Sequence, residues 1–76
     1  MKKKLSHIDS STPCIVSSIE TEDLDLMEEL ETLGFIPGTV VKVINKSFLS
    51  GPLTVFLRGA KVAIRKGSAD IISVTA

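Results

Sequence analysis

Residues 25–38, Asp25-Leu26-Met27-Glu28-Glu29-Leu30-Glu31-Thr32-Leu33-Gly34-Phe35-Ile36-Pro37-Gly38, spell out one short helix, its stop, and the turn that launches a strand. At about 100° per residue, Leu26, Met27, Leu30 and Leu33 fall within an arc of roughly 120°, and Asp25, Glu28, Glu29, Glu31 and Thr32 fill the rest of the wheel. The pattern predicts an amphipathic helix with one narrow buried face. Its start is marked by Asp23 or Asp25, either of which accepts from a free backbone N–H, and Asp25 with Glu28 resembles a capping box. Leu24 falls off the apolar arc and belongs to the entry. Gly34 follows the last periodic leucine and is suited to the left-handed conformation that closes a helix. Pro37-Gly38 fits the central pair of a type II turn, proline presetting φ and glycine supplying a positive φ.

Outward from this stretch, composition narrows the class. A chain of 76 residues makes one small domain, 1–76, with 43% hydrophobic residues but three Phe, no Trp and no Tyr. At this size only about 60% of the unfolded surface is buried, so the core must be compact and aliphatic. One cysteine excludes an internal disulfide framework; with no signal-peptide pattern, it points to the cytoplasm. No apolar run approaches the roughly 18 residues of a membrane span. The formal charge is zero, yet seven of the nine acids lie between Glu20 and Glu31, while six basic residues and only Asp70 follow Thr32. Such a split gives a dipolar surface if the segments stay apart in space.

Met1 to Lys4 reads as a frayed terminus, and residues 1–12 as a loosely ordered lead-in, with Leu5 and Ile8 spaced to pin one turn onto the core. Pro13 ends any helix before it. Cys14 to Glu20 is β-branched and bounded by turn residues, hence strand one; a regular strand would put Ile15 and Ile19 on one face, with Val16 crossing or marking a bulge. After the helix come strand two, Thr39 to Lys46, and strand three, Leu53 to Arg58. Arg58-Gly59-Ala60 connects to strand four, Lys61 to Arg65, and Lys66 to Ala69 turns into strand five, Asp70 to Val74, with Ile72 and Val74 sharing a face. Five short strands and one helix, between the first and second strands, are too few for a two-sheet sandwich. A small, strongly twisted β-barrel removes most exposed sheet edge and leaves the helix to cover one end.

Catalysis and metal binding have little support in the residues. His7 and Cys14 are the only soft ligands or nucleophile and base, separated by a Ser/Thr stretch, whereas a Cys-His nucleophile needs a positioned base and an orienting third group and a soft metal site needs three or four ligands. A weak cation site from Glu28 and Glu31, or from Glu28 and Asp25, competes with a simply solvated helix face. No catalytic residue, metal ligand or cofactor is assigned. Arg58, Lys61, Arg65 and Lys66 are available to phosphates, but zero net charge and the lack of interleaved aromatics weigh against nucleic acid. Protein contact is better supported: Phe48 and Leu49 sit at the tip of a hairpin loop, Met27 lies at the edge of the helix's apolar arc, and Arg58, Lys61 and Arg65 form an electrostatic second set.

Leu33 to Val43, then Gly51-Pro52-Leu53-Thr54-Val55, Gly59 to Arg65 and Ala69 to Val74 form an ordered series that resembles the FeoA family. The match runs from about Leu26 to Val74 and departs from the family at the helix, which is commonly basic there and here presents Glu28, Glu29 and Glu31. The resemblance implies an SH3-like barrel and a cytosolic, non-enzymatic accessory role in bacterial ferrous iron transport. The implied partner is the cytosolic domain of the FeoB-type transporter. The barrel is also similar to the C-terminal domain of iron-dependent repressors, which implies the alternative of a regulatory or nucleic-acid-binding module.

Overall fold

The computed structural model describes residues 2–46 and 51–76. The helix α1 spans Leu24–Leu33, and the strands are β1 (Lys2–Lys4), β2 (Pro13–Ile19), β3 (Val40–Lys46), β4 (Leu53–Leu57), β5 (Ala60–Ile64) and β6 (Ile72–Thr75), with a five-residue helix α2 at Lys66–Asp70 and a 3-10 turn at Leu5–His7. Asp23, not Asp25, caps α1: its carboxylate accepts from the Leu26 N–H at 3.1 Å. Asp25 lies inside the first turn, where its charge complements the helix dipole, so the Asp25–Glu28 capping box does not form. Leu30 is buried and Leu26 packs against the core from a half-buried position. Leu33 ends the arc at 39% exposure, so the buried face is narrower than the wheel implies.

The helix ends in a Schellman arrangement. Gly34 (φ 115°) donates to Glu31 O, and Phe35 donates to Leu30 O at 3.1 Å. Phe35 then drops into the core with no exposed surface, a burial worth about 1.5–3 kcal/mol. The turn that follows is closed by Thr39 N–H donating to Ile36 O at 3.0 Å around Pro37 and Gly38 (φ 95°). Two more bonds tie it to β2: Gly38 N–H donates to Val16 O at 2.8 Å, and Val16 N–H donates to Thr39 O at 2.9 Å.

All six strands lie in one antiparallel sheet in the order β1-β6-β2-β3-β4-β5, left open between β1 and β5. The expectation of a closed five-stranded barrel is therefore corrected: among the described residues there are six strands and two edges. The sixth is Lys2–Lys4, expected to fray but paired with Ser73–Thr75 of β6; three exposed lysines suit an edge, where charge discourages further pairing. This strand also moves α1 to a place between the second and third strands. The lead-in is anchored along its length. Leu5 and Ile8 are buried, Ser11 N–H donates to Val43 O at 2.6 Å, and the Ser6 hydroxyl donates to Asp70 Oδ1.

Two further corrections concern faces and ends. A bulge in β2 between Val16 and Ser18 shifts the register, so Ile15 points outward while Ile19 pairs with Ile72 and packs on the core; the two do not share a face. Strand five starts at Ile72 rather than Asp70, because Lys66–Asp70 coils into α2 to bury Ala69. The core gathers Cys14, Val16, Val41, Val43, Val55, Leu57, Ile72 and Val74 from the inner phase of the strands, with Leu5, Leu30 and Phe35 closing over them.

Two outcomes test these supports. A Cβ on Gly34 would lie 2.9 Å from Arg58 Cδ and 3.2 Å from Leu57 Cδ1, whereas one on Gly38 meets nothing within 4 Å. Gly34→Val is therefore expected to cost roughly 1 to 3 kcal/mol and Gly38→Ala about 1 kcal/mol, from backbone strain alone; equal melting temperatures for Gly34→Val and the parent chain would contradict the helix stop. The Asp70 carboxyl is held below its usual range, first by the Ser6 hydroxyl and then, against some burial, by Lys66. Stability from this carboxylate is fully present above the ordinary Asp pKa of about 3.9 and is lost as pH falls through the lower folded value. In Ser6→Ala, NMR titration should find the Asp70 pKa raised toward the ordinary value, and an unmoved pKa would show that the hydroxyl does not hold it.

Candidate functional site

The residues singled out from the sequence are placed as follows. Phe48 and Leu49 lie outside the described residues. Met27 is half-buried on α1, and its neighbour Leu26 lines a groove of about 300 Å³ with Arg65, Gly67 and Ser68. Arg58 and Gly59 form the two-residue loop between β4 and β5, both with positive φ (50° and 81°), the geometry of a type I′ hairpin. Arginine is an unusual occupant of that position. The contact distances at Gly34 supply a reason, since the aliphatic stem of Arg58 runs over the glycine that ends α1. Because Arg58 and Gly59 alone make the loop, Ala60 belongs to β5 and the strand starts one residue earlier than its sequence pattern suggests.

Lys61 is exposed on β5, and Arg65 precedes α2 at the far end of that strand. Four steps of about 3.3 Å set Lys61 and Arg65 roughly 13 Å apart along the chain. Arg58 lays its stem over Gly34 at the end of α1, Lys61 stands on the outer phase opposite Phe56, and Arg65 lines the groove beside Leu26, so the three are spread over separate parts of the surface.

The structure brings forward a surface that the sequence reading did not select. On the outer phase of the sheet, Pro13, Lys42, Phe56 and Lys61 stand opposite one another in successive strands β2, β3, β4 and β5. Beside this row Ile15 and Val40 are paired across β2 and β3. Ile15 is 47% exposed, Val40 58% and Phe56 42%. The signal was present in the alternation: Val55 and Leu57 point inward, so Phe56 falls on the solvent phase, as Val40 does with Lys42. A shallow groove of about 290 Å³, lined by Pro13, Cys14, Ile15, Val40, Thr75 and Ala76, continues the apolar surface toward the chain's end.

For chemistry, the arrangement offers little. Cys14 is buried on β2 with its thiol directed at Val41 O, 3.5 Å away, and burial pushes its pKa up, the opposite of an activated thiolate. His7 is exposed in the 3-10 turn. Among the described residues no group of three or more His, Cys, Asp or Glu side chains is placed to hold a metal ion, and no helix is long and apolar enough to cross a membrane.

The geometry agrees with known proteins. The fold matches the crystal structure of an iron uptake regulatory protein, FeoA, with a TM-score of 0.85 at 28% identity, covering 99% of this chain and 96% of that one. It matches the zinc complex of FeoA from Stenotrophomonas maltophilia, a prokaryotic SH3 domain protein, with a TM-score of 0.81 at 26% identity over 97% of this chain and 88% of that one. A manganese-dependent transcriptional repressor gives a TM-score of 0.90 at 17% identity, covering 99% of this chain but 41% of the repressor, a likeness of fold alone. No curated protein matches the chain. The FeoA domain model matches residues 3–76, and with that span covered and the SH3-like fold shared with FeoA structures, the chain belongs to the FeoA family.

Proposed function

We propose that this chain is a non-enzymatic accessory protein of ferrous iron uptake, working in the cytoplasm by binding the cytosolic domain of a FeoB-type transporter. The observation that carries the reading is the family match across residues 3–76. The chemistry is in keeping with it: the cysteine is buried with a raised pKa and the histidine stands apart in a surface turn, so the surface supports contact better than catalysis. Arg58 and Lys61 are the proposed electrostatic contacts. Arg65 lines a separate groove with Leu26, the neighbour of Met27; Met27 and Arg65 are proposed there as a second candidate contact, and Phe48 and Leu49 keep their place as proposed loop contacts.

The repressor-like alternative draws on the shared fold, which does not by itself carry a role. Lys42 and Lys61 flank Phe56 rather than forming a continuous basic stripe, and the chain has zero net charge, both of which favour a protein partner over phosphates. Calorimetric titration with the isolated cytosolic domain of the transporter should give saturable binding at or below about tens of micromolar, the range of transient contacts. No heat and no shift at that concentration, together with salt-dependent binding of mixed-sequence DNA, would replace this reading with the alternative.

A further inference from the structure

We infer that the outer face of β2–β5 is the docking surface and that what it receives is a short protein segment carrying apolar side chains flanked by carboxylates. The inference rests on the transporter reading for the identity of the partner and adds the surface and its chemistry.

Four observations support it. Ile15, Val40 and Phe56 are large apolar side chains left substantially open on one continuous face, although β-strands with one solvated side ordinarily place polar residues there. Lys42 and Lys61 stand on either side of Phe56 in the neighbouring strands. Among the described residues the salt bridge is Lys66–Asp70, so neither lysine is neutralised there by a carboxylate of its own chain. The outer-phase positions named on β2 to β5 include no acid, and the acidic side chains of α1 belong to an element that buries Leu30 in the core on the inner side of the sheet.

These features select among occupants. A second copy docking face to face by a two-fold axis would gather four lysines in one interface whose named positions include no acid, and like charges so gathered are repulsive. Three part-open apolar side chains make a small patch beside the roughly 800 Å² per partner of a stable complex, which suits a short segment. An anionic membrane surface is a poorer match, because lipid-binding patches use clusters of about four to eight basic residues and the named positions of this face carry two lysines. A segment with apolar anchors for Ile15, Val40 and Phe56 and carboxylates for the two lysines satisfies every group.

The test is a titration of the isotope-labelled 76-residue chain with the transporter's cytosolic domain, read by chemical-shift mapping and repeated with Phe56→Ser and with Lys42→Glu/Lys61→Glu. Shifts should centre on Ile15, Val40, Lys42, Phe56 and Lys61. Phe56→Ser should weaken binding by about tenfold or more, and the charge-reversed pair should weaken it further and invert its salt dependence, added salt now relieving repulsion. Both changes are at exposed positions, and unchanged dispersion in the free spectra verifies that the fold is intact. Binding that maps to α1 or to the Leu26–Arg65 groove and survives both variants would overturn this surface while leaving the transporter reading in place. Absence of binding by the parent chain would remove the transporter reading itself. Self-association in sedimentation, or capture by phosphatidylserine vesicles, lost in Phe56→Ser would reassign the face to a second copy or to lipid.

Discussion

Val16 exchanges two backbone hydrogen bonds with the turn that follows α1, accepting from Gly38 and donating to Thr39, and the rest of the sheet depends on that clasp. It fixes where β3 begins relative to β2, and so pairs Cys14 with Val41 and Ile15 with Val40. Strand side chains alternate with a period of two, so a slip of one residue would send the buried valines outward and the lysine into the core. Glycine at 38 permits the backbone to present its N–H to Val16 from a positive φ. One turn, placed by one helix stop, therefore decides which side chains make the core and which remain for a partner.

The stop is itself reinforced from another part of the chain. Gly34 lies under the stem of Arg58 and beside Leu57, so the β4–β5 hairpin rests on the end of α1. The left-handed Arg58 is an awkward backbone choice for a long side chain, and its contact with Gly34 provides a compensating interaction. Helix end and hairpin tip are mutually supporting, which is the consistency between local and distant choices expected of a well-specified fold.

Much of this was legible in the residues from 25 to 38. The leucine spacing marked α1, Gly34 its end, and Pro37-Gly38 the turn, because each signal is local. What the sequence withheld depends on partners distant along the chain. Nothing in Lys2-Lys3-Lys4 indicates a strand until β6 is there to pair with it, so the sheet gained a member and an edge. The bulge after Val16 depends on how β2 meets β6, and it reversed the expected placement of Ile19 relative to Ile15. At the candidate surface, charge singles out Lys61 in the sequence, whereas nothing in its residue type singles out Phe56. Its significance lies in the phase of its neighbours. Arg58, Lys61 and Arg65 are grouped by charge in the sequence, and the β4–β5 hairpin spreads them over the helix end, the outer face and the groove.

The open sheet carries a consequence for how the protein behaves in concentrated solution. A chain whose positive and negative charges balance has little long-range repulsion between copies, and an unprotected strand edge would then be a template for edge-to-edge stacking. At the β1 edge that protection is built in locally, since Lys2, Lys3 and Lys4 are consecutive and exposed. A second β1 edge approaching in register would bring six ammonium groups together. Colloidal stability at this border thus comes from where the lysines stand and not from the overall charge.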